Sequence, residues 1–161
     1  MTFRALFFAL LLSFSTVASA SWNQGYQTET GGNGFRVVKI WGGSAGTLLR
    51  IEYYGYLAER CNAGSGSGHR NHLNFFVRLN GKLGQFQETS CGVYGRNGVP
   101  NQYAIVEVRS NDGQSNVTGG VMVPWFFEGI DNNSTWNLDI YVQAITGEYD
   151  SRYGRNYQFS L

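Results

Sequence analysis

Apolar and polar residues alternate with a period of two along most of this chain, and no segment has the 3.6-residue period of a long amphipathic helix. In one clear case Leu138, Ile140 and Val142 point to one side of an extended chain, whereas Asp139 and Tyr141 point to the other. Such alternation predicts a strand with one face in a core and the other in solvent. The same pattern places Leu49, Ile51, Tyr53, Leu73, Phe75 and Val77 inward and Arg50, Glu52, Tyr54, Asn74, Phe76 and Arg78 outward.

Valine, isoleucine and aromatic residues favour strands, and eight segments are rich in them. The predicted strands are Phe35–Trp41, Leu48–Leu57, His72–Leu79, Leu83–Gln87, Gln102–Ser110, Gly120–Phe127, Thr135–Ala144 and Asn156–Leu161. Between two of them, Asn80-Gly81 predicts a two-residue hairpin turn, and Pro124 predicts an edge strand or a bulge. Seven or eight half-buried antiparallel strands indicate an all-β, immunoglobulin-like β-sandwich.

The first twenty residues have the pattern of a secretory signal peptide. Arg4 precedes an apolar run, and Ala18-Ser19-Ala20 is a small-residue cleavage site. The run is too short for a membrane-spanning helix. We therefore expect cleavage after Ala20, a single domain over residues 21–161, no membrane span in the mature chain, and a secreted or periplasmic location.

Charge and cysteine content narrow the possible partners. Without Arg4 the chain holds eleven basic and eleven acidic side chains, so it has no excess of positive charge for binding nucleic acid. Cys61 and Cys91 are the only cysteines. In an exported protein such a pair forms a disulfide more often than a metal site, which needs further ligands. We expect a disulfide and neither metal nor cofactor.

No segment carries a catalytic motif. The glycine- and serine-rich loop at 62–68 lacks the G-x-S-x-G register of a nucleophile elbow. Glu52, Glu107 and Asp139 alternate with core residues and are expected at solvated strand positions. A non-catalytic protein is therefore predicted. A small hydrolase is a less favoured alternative, because the separation of a carboxylate pair is spatial and cannot be read from sequence.

The aromatic run at 125–127 lies in a predicted strand. Alternation places Trp125 and Phe127 in the core and Phe126 outside. Trp136, at the entrance of the next predicted strand, is the better candidate for an exposed ring.

The C-terminal stretch reads Tyr149-Asp150-Ser151-Arg152-Tyr153-Gly154-Arg155-Asn156-Tyr157. It predicts a hairpin that runs from the strand ending near Ala144 through a polar turn at 150–154 into the last strand. In this interpretation Asp150 accepts backbone N–H bonds, Gly154 adopts a left-handed conformation and Asn156 bonds back across the loop.

This stretch resembles the C-terminal motif of the starch- and glycogen-binding modules of carbohydrate-binding families 21, 25 and 53, which reads Trp-Asp-Asn-Asn-x-Gly-x-Asn-Tyr before a short strand. The matching residues are Asp150, Gly154, Asn156 and Tyr157, and the departures are Tyr149, Ser151 and Arg152. The resemblance implies an immunoglobulin-like sandwich that binds polysaccharide.

Aromatic rings present flat apolar faces to the C–H groups of sugars, and neighbouring polar side chains can bond the hydroxyls. The predicted glycan-binding residues are Tyr149, Asp150, Arg152, Tyr153, Asn156 and Trp136. The sequence thus predicts an exported, non-catalytic domain that binds a polysaccharide or glycan. The main alternative is a periplasmic or cell-surface sandwich that binds another protein through its strand edges. A small outer-membrane barrel is a further, less favoured alternative.

Overall fold

A computed structural model describes residues 25–31, 34–41, 46–61, 72–88, 90–92, 103–110 and 120–161, with only the backbone at 25–31, 59–61 and 90–92. The predicted signal peptide lies outside these residues. Cys61 and Cys91 fall where only the backbone is described, so their disulfide stays a prediction. Among the described residues, no helix combines the length and the apolar character needed to cross a membrane.

The described residues form two β-sheets. The strands are β1 (Gly25–Gly31), β2 (Phe35–Trp41), β3 (Thr47–Tyr53), β4 (Leu73–Leu79), β5 (Lys82–Gln87), β6 (Ser90–Gly92), β7 (Tyr103–Arg109), β8 (Val121–Met122), β9 (Asn137–Ala144), β10 (Tyr149–Asp150) and β11 (Tyr157–Ser160). The first sheet has the order β1-β2-β3-β7-β6, with β8 beside β7, and the second has the order β10-β9-β4-β5, with β11 beside β9. Within these sheets only the short β7–β8 pair is parallel. The predicted all-β sandwich is confirmed.

The core lies between the two sheets and follows the predicted alternation. On β9 the inward Ile140 and Val142 are buried, and on β4 the inward Phe75 and Val77 are buried. The predicted hairpin between β4 and β5 is also confirmed, because Leu79 pairs with Lys82 across a two-residue turn. Both turn residues have positive φ, 45° for Asn80 and 90° for Gly81, as a turn that matches the twist of the strands requires.

The segment predicted as one strand at 120–127 is different. Only β8 is extended, and Pro124 begins a single helical turn, α1 (Pro124–Phe127). Proline suits the first position of a helix, where its missing N–H costs no hydrogen bond. The turn buries Phe126 and Phe127 and leaves Trp125 49% exposed. The prediction of an inward Trp125 and an outward Phe126 is therefore wrong.

Glu52 and Glu107 were predicted at solvated positions, and this prediction is also wrong. Both are buried on the outer face of the first sheet. Arg50 lies between them, with Nη2 3.0 Å from an oxygen of Glu52 and Nη1 3.5 Å from an oxygen of Glu107. Because an arginine bridges them, the two carboxylates serve as ion-pair partners in the sheet.

Candidate functional site

The C-terminal hairpin exists, but its turn lies earlier than predicted. β9 ends at Ala144, whose carbonyl accepts the N–H of Gly147 (2.9 Å) and whose N–H donates to the carbonyl of Glu148 (2.9 Å). The chain then returns along β9 as β10, with Asp150 opposite Val142. Asp150 is thus a strand residue, and the predicted turn at 150–154 is not the hairpin turn.

Residues 151–156 leave the sheet, and we call them the terminal loop. After the loop, β11 resumes pairing with the same edge of β9, where Tyr157 lies opposite Ile140. β10 and β11 therefore form one edge strand that the terminal loop interrupts. Such an interruption projects side chains away from the sheet, as bulges near binding sites do.

The terminal loop holds three successive residues in the left-handed region, with φ of 48° at Arg152, 58° at Tyr153 and 79° at Gly154. Two bonds fix this conformation, because Gly154 N–H donates to the Ser151 hydroxyl (3.1 Å) and Asn156 N–H donates to the Ser151 carbonyl (2.9 Å). Left-handed conformation is unfavourable for residues other than glycine, and such strain concentrates at functional sites. In this loop conformation the ring of Tyr153 is fully exposed to solvent.

Asp150 has a role that the sequence interpretation did not give it. Its carboxylate is buried and accepts the Tyr53 hydroxyl at 2.6 Å and the Tyr157 hydroxyl at its other oxygen, instead of backbone N–H groups. Tyr53 lies on the first sheet, so the carboxylate joins the two sheets. The pKa of both tyrosines is raised, first by burial and then by the hydrogen bond to Asp150.

A 3-10 helix, Tyr56–Cys61, brings a further tyrosine to this end of the sandwich. The chain enters it over the ring of Tyr53 at Gly55, where a side chain does not fit because its Cβ would lie 2.5 Å from the Tyr53 oxygen. The Tyr53 hydroxyl also accepts the N–H of Leu57 at 3.2 Å. Tyr56 then donates its own hydroxyl to the carbonyl of Tyr149 at 2.6 Å. The helix is thereby fastened to β10.

These elements enclose a pocket of about 560 Å³, which we call the tyrosine pocket. Its lining residues are Tyr56, Tyr149, Asp150, Ser151, Arg152, Tyr153 and Tyr157. Four of the six predicted binding residues therefore come together here. Asn156 belongs to the loop but does not line the pocket, and Tyr56 was not predicted because nothing near it in sequence marks it. A second hollow, of about 420 Å³, lies over β9 and β11 and has no exposed aromatic ring in its lining.

Trp136, the sixth predicted binding residue, is in the core, so its prediction as an exposed ring is wrong. Its backbone pairs with Leu161 through two hydrogen bonds, which directs the ring inward, and its indole N–H donates to the carbonyl of Asp131 at 3.2 Å. The Lys39 ammonium lies 4.6 Å from the centroids of both Trp136 and Trp41. Burial lowers the pKa of Lys39.

The outer face of the second sheet supports Tyr149. The ring centroid of Tyr149 lies 5.8 Å from that of Tyr141. The Tyr141 ring stacks on that of Phe76, with centroids 4.5 Å apart and nearly parallel planes. Phe76 and Tyr141 cover each other's faces. The rings left most open at this end of the molecule are those of Tyr56 (62% exposed), Tyr149 (52%) and Tyr153.

Comparisons of this chain with protein-family models, with curated proteins and with solved structures gave no match. The likeness of the C-terminal motif to starch- and glycogen-binding modules therefore stays a prediction. The geometry of the tyrosine pocket is what supports a function.

Proposed function

We propose that this protein is an exported, non-catalytic domain that binds a glycan in the tyrosine pocket. The observation that carries the proposal is that three exposed rings, those of Tyr56, Tyr149 and Tyr153, meet at one hollow. Exposed aromatic rings offer flat apolar faces to the C–H groups of a sugar. A surface cluster of this kind has no role in packing the core.

Polar groups stand beside these rings. The side chains of Ser151 and Arg152 line the same pocket, and a guanidinium can donate several hydrogen bonds to hydroxyl oxygens. The pocket volume of about 560 Å³ falls in the range of small-ligand sites. Flat rings next to polar donors are the combination that sugar rings, apolar on one face and hydroxylated at the rim, require.

The pocket is also preorganised. Tyr56 is held by its bond to the Tyr149 carbonyl, Tyr149 is braced by Tyr141, and the terminal loop is closed on Ser151. A ligand that meets groups already in place loses less free energy to the ordering of side chains. The signal-peptide pattern of the first twenty residues suits an exported protein.

Affinity electrophoresis against a panel of soluble polysaccharides, followed by calorimetry on the best ligand, tests the proposal. We expect Tyr149→Ala and Tyr153→Ala each to weaken binding about tenfold, which corresponds to about 1.4 kcal/mol. Trp125→Ala is the matched control, because Trp125 is as exposed as Tyr149 but lies outside the pocket. Absence of binding across the panel, or equal losses in Trp125→Ala and Tyr149→Ala, contradicts the proposal.

A second candidate function, contact with a protein partner, is favoured by Trp125 itself. Its helical turn is fixed by Lys82, whose ammonium donates to the carbonyls of Trp125 (2.9 Å) and Glu128 (2.8 Å). Rigid exposed tryptophans are frequent hot spots of protein interfaces. Co-purification of one stoichiometric partner that Trp125→Ala abolishes, together with no glycan binding, is the result expected for this function.

A further inference from the structure

Among the described residues, the buried carboxylate of Asp150 in the tyrosine pocket has no positively charged partner. Asp150 is 6% exposed and lines the pocket. Its two described partners, the hydroxyls of Tyr53 and Tyr157, are neutral donors. No basic side chain of the described residues forms an ion pair with it. Buried carboxylates are rare unless paired, and no described side chain supplies the countercharge that such a group normally has.

The carboxylate also has unused capacity for hydrogen bonds. Its two oxygens together provide about four acceptor positions, and the two tyrosine hydroxyls occupy one on each oxygen. Asp150 is among the residues that line the hollow, so these remaining positions are the ones that a donor inside the pocket would use. The strongest donor for a carboxylate is one that carries positive charge.

The walls of the pocket also favour a positively charged ligand. Tyr56, Tyr149, Tyr153 and Tyr157 all line it, and the faces of aromatic rings attract cations. The pKa of the Tyr56 hydroxyl is raised, first by burial and then by the negative charges of Asp150 and Glu148. Asp150 and Glu148 thus act on one hydroxyl of the pocket, and Arg152 acts in the opposite sense on the hydroxyl of Tyr157.

Arg152 is the one basic side chain among the described lining residues, and it acts against this preference. It lies on the exposed part of the terminal loop, where water and salt screen its charge. Asp150 is buried, so its charge is screened much less. The buried carboxylate therefore dominates the charge preference inside the pocket.

We propose that the sugar unit held in the tyrosine pocket carries a protonated amino group, so that the preferred glycans are polymers of amino sugars with free amines. This inference rests on the proposed function and specifies its ligand class. The ammonium group supplies the countercharge of Asp150, and the tyrosine rings contact the apolar face of the same sugar unit.

Three β-1,4-linked oligosaccharides of equal length test the inference, because they differ only at C2: oligomers of glucosamine, of N-acetylglucosamine and of glucose. At about pH 6 and low salt, calorimetry is expected to show the glucosamine oligomer binding at least tenfold more tightly than the other two. The preference is expected to disappear in Asp150→Asn. It is expected to persist in Asp139→Asn, the same change at an acid of β9 that lies outside the pocket.

A second measurement tests the inference if Asp150→Asn does not fold. In the wild-type protein, raising the pH from about 6 to about 9 removes the proton from the sugar amine. The hydroxyls of Tyr56 and Tyr157 stay protonated over this range, because their pKa is raised above the ordinary value of about 10. The preference for the glucosamine oligomer should fall at least fivefold over this range. An unchanged preference, equal binding of all three oligomers, or tighter binding of a neutral one overturns the inference and leaves glycan binding in place. Failure of every glycan in the panel overturns the proposed function as well.

Discussion

Removal of the Tyr53 hydroxyl is the most direct perturbation of the link between the two sheets. Tyr53→Phe keeps the ring and deletes one oxygen, which donates to Asp150 at 2.6 Å and accepts the N–H of Leu57 at 3.2 Å. Tyr53 is fully buried, so no water takes the place of its oxygen. The variant leaves a carboxylate oxygen and a backbone N–H without their partner.

The size of the effect follows from these two bonds. A hydrogen bond to a charged group contributes about 1.5–3 kcal/mol, and an unsatisfied buried donor costs about 1–3 kcal/mol. We expect Tyr53→Phe to lower the free energy of unfolding by about 3–5 kcal/mol, since local relaxation recovers part of the sum. Tyr157→Phe removes one bond to the same carboxylate and is expected to cost about 1.5–3 kcal/mol.

Urea unfolding, monitored by tryptophan fluorescence, measures the free energy of unfolding of both variants. An unchanged m-value shows that only stability has changed. The order of the two costs is the decisive result, because Tyr157 serves as the matched control for a single bond to Asp150. If Tyr53→Phe costs less than Tyr157→Phe, or less than about 1 kcal/mol, the hydroxyl does not hold the sheets together as described.

Two further predictions concern buried ionisable groups. The pKa of Tyr53 and of Tyr157 is raised above the ordinary value of about 10. Each hydroxyl therefore makes its full contribution to the free energy of unfolding below about pH 10. Above that pH each contribution falls by about 1.4 kcal/mol per pH unit. Unfolding measured from about pH 9 to 12 should show this fall, and an equal slope in Tyr157→Phe would count against it. Lys39→Met removes a 2.8 Å bond to the Ser134 carbonyl and the contacts with Trp41 and Trp136, and is expected to lower stability by about 1–3 kcal/mol. Thermal melting measures this loss, and an unchanged midpoint would show that removing the buried charge offsets the lost contacts.

The parts of the fold that the sequence predicts well depend on near neighbours. The alternation in β9 and the Asn80-Gly81 turn are local patterns, and the structure confirms both. Trp125 and Phe126 were assigned to the wrong sides because Pro124 begins a helical turn there, and a period of two holds only in an extended chain. One change of conformation reverses which side chain is buried.

The site is harder to predict because its partners are distant in sequence. Tyr53 and Asp150 are 97 positions apart, and Tyr56 and Tyr149 are 93 apart. A polar residue such as Asp150 is normally assigned to a loop, and only its buried tyrosine partners allow it to lie inward on a strand. Tyr149 and Tyr153 could be named as candidate binding residues from the sequence, whereas the buried contacts of Asp150 beneath them could not be predicted.

The terminal loop also affects how this molecule meets copies of itself. Among the described strands, β10 and β11 form one edge of the second sheet, and an open edge offers unpaired N–H and C=O groups to any passing strand. The loop divides this edge into pieces of two and four residues. Neither piece presents a long straight row of bonding groups. The interruption that exposes the ring of Tyr153 thus also limits edge-to-edge aggregation.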